Sequence, residues 1–246
     1  MLSTALLINH LFSSRHFVPF YNGCLKVWSH AGYQGEHEAN SLESYQHAFD
    51  LGAKGVELDI FYDPKGEQFI VSHDLQYEPD GGETLYLSEV FEKLGEKGYF
   101  WLDLKNLGRL NRSEAVKAAD ILRSDLDKFD LGNKIIVESK VAKSLVLFAN
   151  RNIFTSLWIT PGRNDSWFDS RIKNLLYKSR FLKGRFSAFS MNYLNYTPYV
   201  QNSLGSIPVH LFTINDLDEI REYMPITNVK IILSDENFFS LDSCDE

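Results

Sequence analysis

This sequence of 246 residues has few cysteines, no apolar run of membrane-spanning length and no excess of basic charge. Its two cysteines, Cys24 and Cys244, show neither zinc-site spacing nor a disulfide framework. We therefore expect free thiols in a reducing compartment and a cytoplasmic location. The apolar stretch at 5–11 contains Asn9 and His10 and lacks basic residues before it, which argues against a signal peptide and integral membrane contact.

The charge balance also excludes one class of partner. With a net charge of −8, the chain is a poor match for nucleic acid, which needs clustered Lys and Arg. A small phosphodiester remains a possible ligand, because a cation and a local lysine can reverse the field inside a site.

Short β-rich runs alternate with helix-patterned runs along the chain, as expected for βα units around a parallel sheet. The predicted strands are Leu25 to Ser29, Gly55 to Ile60, Phe69 to Ser72, Tyr99 to Leu104, Lys134 to Val137, Thr155 to Ile159, Phe186 to Ser190, Val209 to Thr213 and Lys230 to Leu233. The predicted helices include Asn40 to Asp50, with a cap formed by Asn40 and Glu43, Leu87 to Leu94 and Val141 to Asn150.

The strand count, at or slightly above eight, favours a closed TIM (β/α)₈ barrel and leaves an open doubly wound sheet as the alternative. No linker composition divides the chain, so we predict a single domain over residues 1–246. The first 22 residues are predicted to form an N-terminal segment that closes the barrel.

Several predicted strands end in a charged side chain, which is costly inside a barrel unless the group is paired or bound to metal. Glu57 and Asp59 alternate on one strand, so both face the same side with Cα atoms roughly 6.5–7 Å apart. Their repulsion, roughly 4 kcal/mol at about 4 Å and an effective dielectric of about 20, disappears when a divalent cation binds. Asp103 is the expected third ligand, and oxygen-only ligands predict Mg²⁺ or Ca²⁺. Lys105 shares the face of Asp103, and Glu138 ends the next strand. The alternative for Glu57 and Asp59 is a solvated strand end with a surface Lys partner.

Two histidines close predicted strands beside these carboxylates. His30 follows the first strand and His73 the third, a pattern that predicts a general base and a general acid on opposite sides of a phosphorus centre. The simpler alternative for each is a hydrogen-bonded packing histidine. Asp74 is expected either to orient an imidazole or to cap its loop.

Motifs recur in order through almost the whole chain and are specific as a set: His30-Ala31-Gly32, Glu38-Ala39-Asn40-Ser41-Leu42-Glu43, Gly52-Ala53, Val56-Glu57-Leu58-Asp59, His73-Asp74, Leu102-Asp103-Leu104-Lys105, Phe212-Thr213-Ile214-Asn215 and Ile232-Leu233-Ser234-Asp235. This string resembles the glycerophosphodiester phosphodiesterase family. The resemblance implies a phosphodiesterase barrel with one divalent cation.

The resemblance also implies roles for the site residues. The family's catalytic pair falls on His30 and His73, and its phosphate-binding lysine on Lys105. The other implied positions are the metal ligands Glu57, Asp59 and Asp103 and a further site carboxylate at Glu138.

Three positions depart from the family pattern. Ala31 stands where the family has Arg, Ala39 replaces the acidic residue of Pro-Glu-Asn-Thr, and Asp103 replaces the usual Glu. The first two losses fit together, because an unpaired Arg or Glu is costly in a site. The Asp103-x-Lys105 form is similar to the spider-venom phospholipase D branch, whose cysteine-bearing loop this chain lacks near His73.

We therefore predict hydrolysis of a small glycerophosphodiester-like molecule by two histidines and one cation. Two alternatives stay open: a phospholipase D-like lyase that gives a cyclic phosphate, and a barrel that binds a phosphodiester without turning it over. Aromatic candidates for the lining of the mouth, which could equally be core residues, are Tyr33, Trp158, Tyr193, Tyr196 and Phe212.

Overall fold

Nine strands form one sheet in the computed structural model of the chain, which describes residues 2–13, 17–33, 35, 37–73, 84–162 and 167–244. The strands are β1 (Val27–Ser29), β2 (Gly55–Asp63), β3 (Gln68–Val71), β4 (Tyr99–Leu104), β5 (Ile135–Ser139), β6 (Phe154–Trp158), β7 (Ala188–Asn192), β8 (Val209–Phe212) and β9 (Val229–Ser234). Their order is β1-β9-β8-β7-β6-β5-β4-β2-β3, and pairing of β1 with β2 closes the ring. The predicted TIM (β/α)₈ barrel is confirmed, and the open sheet is excluded.

The third predicted strand is not one of the eight parallel strands. β3 runs antiparallel to β2, with Ile60 opposite Val71 and Asp63 opposite Gln68. β2 continues past its last pair with β4, at Ile60, and the hairpin then returns the chain to the barrel. The expectation that His73 ends a barrel strand equivalent to that of His30 is therefore wrong; an antiparallel hairpin delivers it instead.

Within the described residues, eight α-helices surround the barrel or pack against its helices: α1 (Leu2–Ser13), α2 (Leu42–Asp50), α3 (Leu87–Leu94), α4 (Arg112–Lys128), α5 (Ala142–Ala149), α6 (Trp167–Gly184), α7 (Pro198–Leu204) and α8 (Leu217–Tyr223). None of those described is long and apolar enough to cross a membrane. Ser41 caps α2 and forms a capping box with Ser44, so the predicted Asn40–Glu43 cap is wrong by one residue.

Aromatic side chains close the amino-terminal end of the barrel. Phe20 and Tyr21 pack on Tyr99, the first residue of β4, and Phe20 also contacts Phe154, the first residue of β6. Trp28 stacks on Tyr99 in the same cluster. α1, which belongs to the same predicted N-terminal segment, lies elsewhere: it packs against α6 on the outer wall.

The two cysteines, although 220 positions apart, form a disulfide bond. Cys24 precedes β1, and Cys244 follows β9 in the last described part of the chain. Tertiary hydrogen bonds support the junction, since Ser243 donates to the carbonyl of Cys24 through both its backbone N–H and its hydroxyl. The prediction of free thiols is wrong, because neighbouring strands β1 and β9 bring the two ends together.

Candidate active site

Three carboxylates meet at the carboxyl ends of two neighbouring strands. Glu57 and Asp59 alternate on β2, and Asp59 lies opposite Asp103 in the parallel β2–β4 register. One oxygen from each residue lies within 4.8 Å of the oxygens of the other two, and all three residues are buried. The structure thus brings together the three residues predicted as metal ligands.

Burial makes it costly for this cluster to be fully ionised. It raises the pKa of Glu57 to about 8, with the charge of Asp59 adding to the effect. Burial also raises the pKa of Asp103, although the charge of Lys105 opposes the change. The Nζ atom of Lys105 lies 2.5 Å from Oδ1 of Asp59 and 2.5 Å from Oδ2 of Asp103. One ammonium cannot offset three carboxylates, so an oxygen-binding divalent cation fits this donor set.

Asn40 fixes the orientation of Asp59. Its Nδ2 donates to Oδ2 of Asp59 at 2.9 Å, and its Oδ1 accepts from the backbone N–H of Asp59 at 3.0 Å and from Tyr45 at 2.8 Å. The Ala31 N–H donates to Oε2 of Glu57 at 2.9 Å. The sequence showed Asn40 only as a helix-cap candidate and as part of a motif, and its positioning role was missed.

His30 follows β1 at the same mouth, where Asp235 holds its ring. The His30 Nδ1 and Asp235 Oδ1 atoms are 2.7 Å apart. Burial alone would lower the pKa of His30, but the hydrogen bond with Asp235 and the charges of Glu57 and Asp59 outweigh burial and raise that pKa to about 9. Asn215 supports the pair by donating from Nδ2 to Oδ2 of Asp235 at 2.7 Å.

His73 reaches the mouth from the hairpin. The backbone N–H of Ser72 donates to the carbonyl of Asp59 at 2.9 Å, which places the following residue beside the carboxylate strand. His73 is exposed. Asp74, the predicted orienting or capping residue, lies outside the described residues.

Glu138 adds a fourth carboxyl group next to the cluster. It stands opposite Asp103 in the β4–β5 register and is 2% exposed. Burial raises its pKa well above the usual value, and Asp103 adds to this rise. Within the described residues, its Oε2 atom has no hydrogen-bond partner.

Aromatic side chains form one wall of the mouth. Trp158 ends β6 and Phe212 ends β8, with ring centroids 5.0 Å apart at 84°. The Nζ atom of Lys140 lies 3.4 Å from the centroid of the Trp158 ring. Of the other aromatic candidates, Tyr196 is buried, as a core residue would be. Lys140 was not predicted, because only the fold brings it over the indole.

Both the sequence and the fold of the chain resemble known proteins. No family model matches the chain. A glycerophosphodiester phosphodiesterase from Bacillus altitudinis is 22% identical over 152 residues. That match covers 50% of this chain and 61% of the relative, so the chain spans less than two thirds of that protein's length.

Solved structures with the same fold cover nearly the whole chain. A putative glycerophosphoryl diester phosphodiesterase from Silicibacter pomeroyi has a TM-score of 0.72 at 15% identity, covering 89% of this chain and 93% of that chain. A glycerophosphodiester phosphodiesterase from Thermotoga maritima scores 0.66 at 20% identity, covering 91% and 97%. A phosphodiesterase from Oleispira antarctica, in complex with the product sn-glycerol-3-phosphate, scores 0.67 at 17% identity, covering 90% and 97%. The family resemblance predicted from the motifs is confirmed in both sequence and fold.

Proposed function

We propose that this chain, similar to glycerophosphodiester phosphodiesterases, is a metal-dependent hydrolase of small glycerophosphodiester-like molecules. The observation that carries the proposal is the meeting of Glu57, Asp59 and Asp103, with Lys105 against them and His30 at the same mouth. The proposed cation is a single Mg²⁺ or Ca²⁺, since all three ligands offer oxygen.

A divalent cation held by these carboxylates would supply charge stabilisation to the non-bridging phosphate oxygens. In the proposed mechanism Lys105 binds the same oxygens, because its ammonium already lies at the carboxylate cluster. One of the two imidazoles, His30 or His73, takes a proton from the attacking water, and the other returns a proton to the leaving alkoxide. Each such acid–base partner contributes roughly 10²–10⁴ in rate.

The substrate is proposed to lie against the wall formed by Trp158, Phe212 and Lys140. Flat aromatic faces suit the carbon skeleton of a glycerol or sugar, while the ammonium suits polar or anionic substituents. Glu138 is proposed as a further polar group of the site.

The test measures hydrolysis of glycerophosphocholine by the purified chain with added Mg²⁺ or Ca²⁺ and with EDTA. We expect turnover only with a cation, and losses of roughly 10²–10⁴ in His30→Ala and His73→Ala. His37→Ala, an exposed histidine outside the site, is the matched control. Turnover that survives both EDTA and the two site substitutions would remove this mechanism.

A cyclising lyase is the second candidate, supported by the absence of Arg at Ala31 and by the Asp103-x-Lys105 pair. In that reaction a hydroxyl group of the substrate attacks phosphorus in place of water. Phosphorus NMR of the product in ¹⁸O-labelled water distinguishes the two reactions, since only hydrolysis introduces the label in the first step.

The proposed cytoplasmic location stays a prediction, and its premise has changed. It rested on free thiols, whereas Cys24 and Cys244 form a disulfide. Disulfides persist mainly in oxidising compartments. Fractionation of cells that express the chain at native level would decide between the cytoplasm and an oxidising compartment.

A further inference from the structure

Exposed apolar side chains are concentrated on one side of the molecule. Nine large hydrophobic residues are exposed among those described, and six of them lie on three helices: Leu6, Leu7 and Leu11 of α1, Ile172 and Leu176 of α6, and Tyr199 of α7. Leu6 is 65% exposed and Leu7 is 56% exposed. Scattered single hydrophobic residues need no explanation, but such a concentration marks an interaction surface.

These helices pack against one another, so their exposed residues belong to one side of the fold. Asn9 of α1 accepts a hydrogen bond of 2.9 Å from Nζ of Lys178 in α6. The rings of Phe12 and Phe181 lie 6.1 Å apart at the same contact. Both α5 and α7 contact α6 as well. We call the exposed residues Leu6, Leu7, Leu11, Ile172, Leu176, Arg180 and Lys183 the α1/α6 face.

Basic residues are concentrated on the same side of the molecule as these exposed apolar side chains. Together, α1, α5, α6 and α7 contain six Lys and Arg residues and a single acidic residue, Asp169. The rest of the chain holds 19 of the 25 Lys and Arg residues against 32 of the 33 Asp and Glu residues. The side of the molecule with most of the exposed apolar residues is therefore basic, whereas the rest of the chain is acidic.

We propose that the α1/α6 face docks the protein on an anionic lipid surface. The leucine and isoleucine side chains enter the boundary between head groups and acyl chains, and Arg180 and Lys183 contact the lipid phosphates. A second copy of the chain fits less well, because a two-fold contact would bring two basic faces together. Nucleic acid would pair with the basic side chains but would leave the exposed leucine side chains in contact with water. Docking is independent of the phosphodiesterase chemistry.

The test is co-sedimentation of the full chain with vesicles of phosphatidylcholine alone or mixed with phosphatidylglycerol. We expect binding at least about tenfold tighter to the anionic vesicles, weakening as salt is added. The variant Leu7→Ser/Leu11→Ser should lose binding to both kinds of vesicle. The variant Arg180→Glu/Lys183→Glu should lose only the preference for anionic lipid. Leu51→Ser, at the exposed residue that follows α2, and Arg221→Glu, at an exposed residue of α8, are the matched controls.

Circular dichroism and thermal melting must first show that each variant is folded. Activity on a water-soluble phosphodiester should then be equal in all of them, which separates failure of docking from failure of the proposed function. Failure to bind anionic vesicles would overturn the proposal, as would equal losses in the control variants. A dimer that Leu7→Ser/Leu11→Ser abolishes, without vesicle binding, would assign the face to a second copy and overturn it too.

Discussion

The imidazole of His30 is joined to the carboxylate of Asp235 by a hydrogen bond of 2.7 Å, although 205 positions separate the two residues. Parallel pairing of β1 with β9 creates this contact, because Ser29 lies opposite Ser234 and the next residue of each strand enters the mouth. A carboxylate that accepts from one ring nitrogen orients the imidazole and leaves the other nitrogen for proton transfer. Asp235 is therefore a positioning residue in the proposed mechanism.

Replacing Asp235 tests that relationship. In Asp235→Asn the amide keeps the shape but removes the charge that helps to raise the pKa of His30. We expect kcat to fall about 10–100-fold. The limb of the pH–rate profile that reports His30 should move to lower pH. Asp218→Asn, at an exposed acid of α8, is the control. An unchanged profile in Asp235→Asn would contradict the assignment.

The carboxylate cluster predicts opposite effects of one substitution on metal binding and stability. Glu57→Gln removes a ligand, so the affinity for Mg²⁺ or Ca²⁺ should fall at least as far as the roughly 10–100-fold lost with an outer-shell partner. Without metal, at pH 7, the same variant should melt at a higher temperature than the parent, because Glu57, with its raised pKa, must take up a proton on folding and Gln need not. Calorimetry measures both, with Glu92→Gln as an exposed control. Equal cation affinity in parent and Glu57→Gln would exclude the site.

A buried histidine predicts the acid sensitivity of the fold. His210 points into the barrel, 5.1 Å from the Trp101 ring, and neither ring nitrogen has a hydrogen-bond partner among the described residues. Burial lowers the pKa of His210 to about 3. Because the folded pKa lies below the unfolded one, this histidine favours folding above pH ~6.5, and that contribution is lost as the pH falls toward 3.

The variant His210→Leu isolates that contribution from the carboxylates. Between pH 7 and pH 5 the parent should lose about 2 kcal/mol more of its unfolding free energy than the variant. Urea unfolding at the two pH values measures this change in unfolding free energy for each protein. Groups that titrate alike in both proteins contribute equally to the two changes and cancel in the comparison. Parallel pH dependence in the two would show that the folded pKa of His210 is not depressed.

The disulfide predicts a covalent link between the segment that precedes β1 and the segment that follows β9. Purified from an oxidising compartment, the chain should resist alkylation until it is reduced, as intact mass would show. Cys24→Ser/Cys244→Ser should lower the unfolding free energy by about 2–4 kcal/mol, because the bond constrains the unfolded chain. The chain contains only these two cysteines, so reduction of the parent is the matched control. Two thiols free to react in the oxidised preparation would contradict the bond.

Local patterns predicted some elements closely and others not at all. The bounds of α3 and β4 agree with the prediction, because α3 has apolar residues at helical spacing and is closed by Gly95, whereas β4 is a compact, mostly apolar run. α6 was not predicted, since its buried face includes Asn174 and Lys178, which break the apolar periodicity. β3 was predicted as a strand, but its antiparallel direction depends on the hairpin.

The sequence by itself determined the alternation of strands and helices, and it placed Glu57 and Asp59 on one face, because side chains of a strand alternate over two residues. Only the tertiary structure decided which distant groups meet: His30 with Asp235, Asn40 with Asp59, and Cys24 with Cys244. These contacts depend on how the barrel closes. Closure is a property of all eight parallel strands together, and no local pattern records it.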